Sequence, residues 1–514
     1  MCGNIHHSAE KSKKPLPNLD IFFTFGNKKR KSRCQILFFL YRFGNMGEKK
    51  IIGRSAEISL LESCVQSGRS EFAVVYGRRR IGKTFLVNQT FKGRFDFCYV
   101  GGHHLDESEQ LQKFAEALKK YGRSAFLPKL GDWFEAFNNL QQILEASKSK
   151  KKIVFIDEMP WIDTPNSKFV KALESFWNGW AALRDDIFFI ASGSSTSWMA
   201  ENLFENQGGL YNRITTKIYL RPFNLREVEE FCTSGGGGWD RYQIAQAYMV
   251  FGGVPYYYSL VNFKKSLSQN IDAMFFNKGG QLANEFDELY NALFTSADRY
   301  LNVVRLLATK PKGLTRDEIL TATKMQGGFL TKVILNLERS DFIQGIAAFG
   351  KKKKGIVYRL IDLFSIFYFK FVEENRSGDP LFWTHSLNSP AINAWYGLTF
   401  ETLCLLHTEQ IKAKLGISGI LTNVSCFQNK SAQIDLIIDR SDRMINLCEI
   451  KFSTAPYPIS KKYADRIRMR MAEFQNATAT RKGIVNTFVT TFGILNGSAS
   501  SVVNSEVVLD DLFA

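Results

Sequence analysis

The chain has 514 residues, enough for roughly two to four domains, and its 45% hydrophobic and 23% charged residues are those of an ordinary globular protein. No apolar run approaches the roughly 18–20 residues needed to cross a bilayer, which argues against a membrane-spanning chain. The formal charge of +17 favours a polyanionic partner such as nucleic acid, the alternative being a protein that is simply basic.

Residues 1–45 hold nine Lys or Arg against two Asp or Glu, so the remaining 58 basic and 48 acidic residues leave a balance of +10. This segment is polar, then basic around a short apolar run at Ile36–Tyr41. Met46 precedes "GEKKIIGRSAE", where ordered sequence is expected to begin. The expectation is that Met46 is the natural start and that 1–45 is a disordered or over-called extension, with a membrane-targeting segment as the alternative. Cys2, Cys34, Cys64, Cys98, Cys232, Cys404, Cys426 and Cys448 show no spacing of a zinc knuckle. They are expected to be free, buried thiols of a cytoplasmic protein. The pairs His6–His7 and His103–His104 have no evident ligand partners, so no metal is assigned to them.

From 46 to about 260, strand-type apolar runs at 71–77, 95–101, 152–157, 187–193 and 216–220 alternate with amphipathic segments at 56–66, 83–91, 108–120, 131–146 and 167–182. That alternation predicts an α/β fold with a doubly wound parallel sheet. The first strand runs into Gly77-Arg78-Arg79-Arg80-Ile81-Gly82-Lys83-Thr84, which fits G-x-x-x-x-G-K-[ST] in its required place between strand and helix. The glycines let backbone N–H groups curl around phosphate oxygens at a helix N-terminus. Lys83 is expected to reach the β and γ phosphates and Thr84 to ligate Mg²⁺. The side chains of Arg78, Arg79 and Arg80 are expected to point outward, because such a loop uses its backbone.

"KIVFIDE" (152–158) ends an apolar strand in two carboxylates, which are costly there without a cation or hydrogen bonds. Asp157 is expected to hold the magnesium and Glu158 to polarise the attacking water. In "ASGSS" (191–195), Ser194 either contacts the γ-phosphate or positions that water, or the segment is an ordinary turn. Arg213, in "YNRIT", is a candidate transition-state arginine, acting in its own subunit or a neighbour's; the alternative is a solvated arginine.

Residues 50–260 resemble the archaeal-type P-loop ATPases of the AAA+/STAND group. The resemblance is carried by "IIGRSAEISLL", "YGRRRIGKT", "FIDEMPWID", "ASGSSTSWM", "YNRITTKIYLRPF" and "FGGVPYYY". It implies ATP rather than GTP, places Ile52, Gly53 and Arg54 near the adenine, and makes "GGVP" (252–255) part of a helical lid.

Helical patterns follow at 261–275, 281–294, 298–309, 315–323 and 328–340, and then two strand-like runs flank "GKKKKG" (350–355). This predicts a winged helix whose tip lysines, Lys351–Lys354, contact DNA phosphates, or else a solvated hairpin tip. Beyond 390 the sequence predicts a helix at 395–414, strands at 418–428, 432–440 and 443–453, a basic helix at 460–477 and a strand at 483–491. Asp435 and the alternating pair Glu449 and Lys451 fall on neighbouring strands and one sheet face, with Glu401 on the preceding helix. Two carboxylates and a lysine so placed suit one Mg²⁺ and an activated water, the chemistry of phosphodiester hydrolysis, with Asp435 and Glu449 as metal ligands.

Residues 390–495 resemble the PD-(D/E)XK nuclease superfamily. Asp435, Glu449 and Lys451 match its D…ExK core and Glu401 matches the helix acid more loosely, but Ile434 stands where the motif has proline. The expected organisation is an extension at 1–45, a P-loop ATPase core at 46–225, a helical lid at 226–295, a winged helix and linker at 296–385, and a small α/β restriction-nuclease-like domain at 386–514. The expected activity is an ATPase acting on or with DNA, with ATP, DNA and further copies of the chain as partners. The alternative is a nucleotide-dependent switch or scaffold whose C-terminal domain binds without cleaving.

Overall fold

Five short strands pair in parallel because most of them carry apolar side chains on both faces. They are β1 (Glu71–Tyr76), β2 (Phe95–Val100), β3 (Lys152–Asp157), β4 (Ile187–Gly193) and β5 (Thr216–Tyr219), in the order β2-β3-β4-β1-β5. Every residue of β3 and β4 is buried, as strands covered on both faces require. Helices Ser55–Gln66 and Lys83–Thr90 bring Leu61, Leu86 and Val87 onto one face. Helices Glu107–Tyr121, Trp133–Ala146 and Phe169–Gly179 bring Phe114, Trp133, Phe137 and Phe176 onto the other. The first of these starts in a reciprocal cap between Asp106 and Glu109, and the second where Asp132 accepts from Glu135 N–H. The result is the expected α/β arrangement, and the carboxyl ends of β1, β3 and β4 come together at one rim.

The computed structural model describes residues 50–514 apart from 124, 206–207, 295, 352–354 and 376. The expected extension at 1–45, Met46 and the lysines Lys352–Lys354 therefore lie outside the described residues. Residues 51–514 form one unit. Among the described residues no helix is long and apolar enough to cross a membrane, and all six described cysteines are free.

After the parallel sheet come helices Leu225–Ser234, Arg241–Phe251 and Glu285–Leu293. The helix expected over 261–275 begins only at Leu267. Asn270 explains the delay: it receives Asn262 N–H at 2.8 Å and donates to Asn262 O at 3.0 Å, closing 262–266 into a turn. Helices Ala297–Ala308, Arg316–Thr323 and Gly327–Arg339 then pack with an antiparallel trio, β6 (Leu314–Thr315), β8 (Ile356–Leu360) and β7 (Ile343–Ala348).

The C-terminal strands are β9 (Thr422–Gln428), β10 (Gln433–Arg440), β11 (Met444–Lys451), β13 (Gly483–Thr490) and β15 (Ser505–Val508), with β12 (Tyr457–Pro458) and β14 (Ile494–Leu495) forming a separate pair. The expected domain boundary at 385/386 is bridged by a sheet. β7 pairs in parallel with β9 through Ala347–Ser425 and Ala348–Cys426, giving one eight-stranded sheet, β15-β13-β11-β10-β9-β7-β8-β6. A single apolar core runs from Ile52 and Tyr257 through Val333 and Phe364 to Leu403 and Phe513, so it also crosses the expected boundary at 295/296.

Candidate functional site

The loop after β1 owes its path to residues that tolerate left-handed backbone. Gly77 has φ 144°, and a Cβ there would sit 2.5 Å from Leu220 O; Arg80 and Gly82 follow at 72° and 91°. The loop delivers Lys83 and Thr84 to the first turn of helix Lys83–Thr90. Lys83 is buried, and its Nζ donates to Gly77 O at 3.1 Å and Arg78 O at 3.0 Å. Burial pulls its pKa down, opposed by the charges of Glu158 and Asp157.

Thr84 Oγ1 donates to Asp157 Oδ2 at 2.6 Å, which joins the loop to the tip of β3. Ser192 on β4 donates to the other oxygen, Asp157 Oδ1, and Glu158 N–H reaches the same atom at 3.0 Å. Burial, and then the neighbouring Glu158, push the Asp157 carboxyl up to about 6, although the bonds from Ser192 and Thr84 act the other way. Glu158 has φ 52°, a strained value for a non-glycine. Its carboxylate accepts from Ser194 N at 3.1 Å and Ser194 Oγ at 2.8 Å. Ser194, expected to face phosphate or water, is bound to Glu158. A hydroxyl and a carboxylate in contact are hard oxygen donors of the type magnesium takes.

Residues 51–261 match the family model described as an ATPase domain predominantly from Archaea. Over this segment the chain is similar to that ATPase family. The chain is 25% identical to an uncharacterised protein of Methanocaldococcus jannaschii over 430 residues, 81% of this chain and 91% of that one. The Walker-type ATPase paby2304 of Pyrococcus abyssi aligns with 62% of this chain and 96% of its own, at 16% identity and a TM-score of 0.47. The ORC2 protein of Aeropyrum pernix, solved in ADPNP–ADP complexes, aligns with 63% and 95%, at 13% identity and a TM-score of 0.42.

The arginines of the loop after β1 do not point outward as expected. Arg78 is buried and donates through Nη1 to Asp362 at 2.8 Å, with its guanidinium 4.8 Å over the Phe342 ring. Arg80 forms a two-pronged bond with Glu285 and lies 4.1 Å over the Tyr256 ring. Arg79 lies 5.6 Å over the Trp161 ring. The reason is that the chain after 225 folds back over the loop, and its carboxylates and rings take up Arg78 and Arg80, while Arg79 is covered by Trp161 from the segment after β3. Asp362 and Glu285, some 200–280 residues away in sequence, carry no motif that could reveal them. The turn before β7 joins the same contact: Tyr219 OH bonds Asp341, and Thr196 Oγ1 lies 2.9 Å from Ser340 Oγ.

Ile52 is buried, and Gly53 has φ 60° with a Cβ position only 2.3 Å from Glu227 Oε1. Arg54 donates to Arg221 O at 2.7 Å and lies 4.8 Å over Phe223. Residues 52–54 thus pack on the segment 221–227 that follows β5. Arg213 is exposed in the turn before β5. His103, which carried no assignment, lies against Trp161 with centroids 4.7 Å apart; burial, then His104 and Arg79, lower its pKa to about 4.

The four C-terminal residues are also brought together. Asp435 lies at an irregularity in β10, where the register against β9 shifts between Ile434 and Ile437, a device that re-aims side chains. It accepts from Gln433 Nε2 at 2.8 Å and from Arg359 Nη2 at 2.9 Å. Glu449 is buried and bound by Lys451 at 2.7 Å, by Arg470 and by Tyr463 OH. Burial alone would raise its pKa, but Arg470 and Lys451 outweigh that and hold it low. Glu401 faces the same charges: burial and then Asp435 push its carboxyl up to about 7. Among the described residues no three His, Cys, Asp or Glu side chains are grouped to hold a metal ion. Arg359, Arg470 and Tyr463 are the residues sequence reasoning missed. Arg470 and Tyr463 belong to the basic helix Lys461–Thr478, whose charge was the available signal.

Proposed function

We propose that the chain binds ATP with Mg²⁺, hydrolyses it, and acts on or with DNA. The observation that carries this is the Thr84–Asp157 contact, which joins the phosphate loop to the acidic end of β3 beside Glu158. The loop amides from Arg78 to Lys83 hold phosphate oxygens, helped by the helix N-terminus. Lys83 exchanges the carbonyls of Gly77 and Arg78 for the β and γ phosphates. Thr84 and Asp157 are the residues that would hold magnesium, which would supply positive charge beside the phosphates. Glu158 orients the attacking water, and Ser194 sets where that carboxylate sits. Ile52, Gly53 and Arg54 line the adenine end. Arg213 is the candidate for the transition-state charge, in its own subunit or in a neighbouring copy. The proposed setting is the cytoplasm, in keeping with free thiols at all six described cysteines.

Helices Ala297–Ala308, Arg316–Thr323 and Gly327–Arg339 with β6, β7 and β8 are read as a winged helix, with exposed Lys351 at the hairpin tip meeting DNA phosphate. The C-terminal strands with Glu401, Asp435, Glu449 and Lys451 are read as a nuclease-like domain. The second reading, a nucleotide-controlled switch that binds DNA without cutting it, is favoured by one observation: Asp435 and Glu449 are both neutralised by guanidinium groups. Two assays divide these readings. Wild-type protein should hydrolyse ATP while Glu158→Gln retains bound ATP; absence of turnover in the wild type defeats the ATPase reading. Metal-dependent cleavage lost in Asp435→Ala and Lys451→Ala, with ATP turnover intact, supports the nuclease; no cleavage under any nucleotide leaves the switch.

A further inference from the structure

One short stretch of chain touches both candidate sites. Asp362, two residues beyond the end of β8, accepts from Arg78 of the phosphate loop at 2.8 Å. Arg359, on β8 and three residues before Asp362, donates to Asp435 of the C-terminal cluster at 2.9 Å. At about 3.3 Å per extended residue, these two ion pairs are roughly 10 Å apart along the chain.

The connection is stiff. Arg359 and Tyr358 are in register with Gln344 and Gly345 of β7, and the N–H groups of Ile361 and Asp362 both donate to Phe342 O. Phe342 in turn lies under the Arg78 guanidinium. The Arg78–Asp362 pair is almost fully buried, and Arg78 Nε and Nη2 are buried without a partner. A guanidinium desolvated to that degree and held by one carboxylate follows its partner closely, because separating the two leaves a bare buried charge. The backbone of Arg78 belongs to the loop that wraps phosphate, so a change in the loop moves Asp362 and the end of β8 with it.

At the other end, Arg359 occupies Asp435 in the way a cation would. Together with Gln433 it takes Asp435 Oδ1, and the cluster is not grouped to hold a metal in this arrangement.

We propose that Arg359 is a positioning residue of the C-terminal cluster, that its pairing with Asp435 excludes a divalent cation, and that nucleotide at the phosphate loop shifts this pairing through Arg78, Asp362 and β8. The proposal rests on the C-terminal cluster being a cation site, as read above.

The test uses the full chain and Mn²⁺, titrated calorimetrically and by electron paramagnetic resonance, with and without a non-hydrolysable ATP analogue. The C-terminal site is the Mn²⁺ binding that Asp435→Asn removes. Arg359→Gln should tighten that site about tenfold without nucleotide, within the usual range of coupling between sites. The analogue should do the same to wild-type protein and should lose the effect in Asp362→Asn. Arg359→Lys, which keeps the charge on a shorter chain, should fall between wild type and Arg359→Gln, and it serves if the glutamine variant does not fold. An Asp435-dependent site that ignores both the analogue and the Arg359 substitutions overturns the coupling alone. Mn²⁺ binding that Asp435→Asn never alters overturns the cation-site reading as well.

Discussion

The acidic tip of β3 and the C-terminal cluster solve one problem in opposite ways. At Asp157 and Glu158 the hydrogen-bond partners are neutral: Thr84, Ser192 and Ser194 donate hydroxyls, and the nearby ammonium of Lys83 makes no ion pair with either carboxylate. At Asp435 and Glu449 the partners are cations: Arg359, Arg470 and Lys451 cancel the charge. Burial therefore pushes Asp157 up to about 6, while Glu449, equally hidden, is held low. A buried carboxylate satisfied only by neutral donors still attracts a cation, whereas one already paired must first lose its partner. The first site leaves its carboxylates free of ion pairs, as the proposed magnesium requires, and the second is closed by the protein's own side chains.

The largest expected effect is at the open site. Lys83→Ala removes the only ammonium of the phosphate loop, and ATP turnover should fall by at least about 100-fold; a smaller loss measured in a phosphate-release assay would weaken the contrast. Next is the Arg78–Asp362 pair. Asp362→Ala strands a buried guanidinium and should cost about 3–5 kcal/mol in a denaturant titration, while Arg78→Met combined with Asp362→Ala should recover much of it. The third concerns pH. The Asp157 carboxyl lies above its ordinary value of 3.8, so in the protein alone its contribution to stability declines as pH rises from about 4 to about 6, where only the unfolded chain ionises. Magnesium needs the ionised form, so Mg²⁺-dependent nucleotide affinity should weaken about tenfold per unit as pH falls below about 6, read by a titration series. The smallest is at the β7–β8 hairpin, the proposed wing: Lys351→Ala should lower the salt slope of DNA affinity by about one.

Much of the first site was legible in the sequence. Largely apolar runs such as "IFFIASG" need cover on both faces, and a glycine-rich loop between such a strand and a helix suits phosphate. Local chemistry also located Asp157, Glu158, Asp435 and Glu449. The closure of the C-terminal cluster was hidden, because Arg359 comes from β8, 76 residues before Asp435. The eight-stranded sheet was equally hidden, since β7 and β9 join through two residue pairs alone. The inward turn of Arg78 and Arg80 depended on Asp362 and Glu285, ordinary acids until the chain folds back. Local motifs report what a segment can bind, and partners supplied from afar decide whether it is open.

The most direct test is an equilibrium titration of a fluorescent ATP analogue with and without Mg²⁺, in wild-type protein and in Asp157→Asn. Binding that Mg²⁺ strengthens in the wild type, with that gain lost in the variant, is the predicted result. Affinity indifferent both to Mg²⁺ and to the Asp157 substitution would contradict a cation held between Thr84 and Asp157.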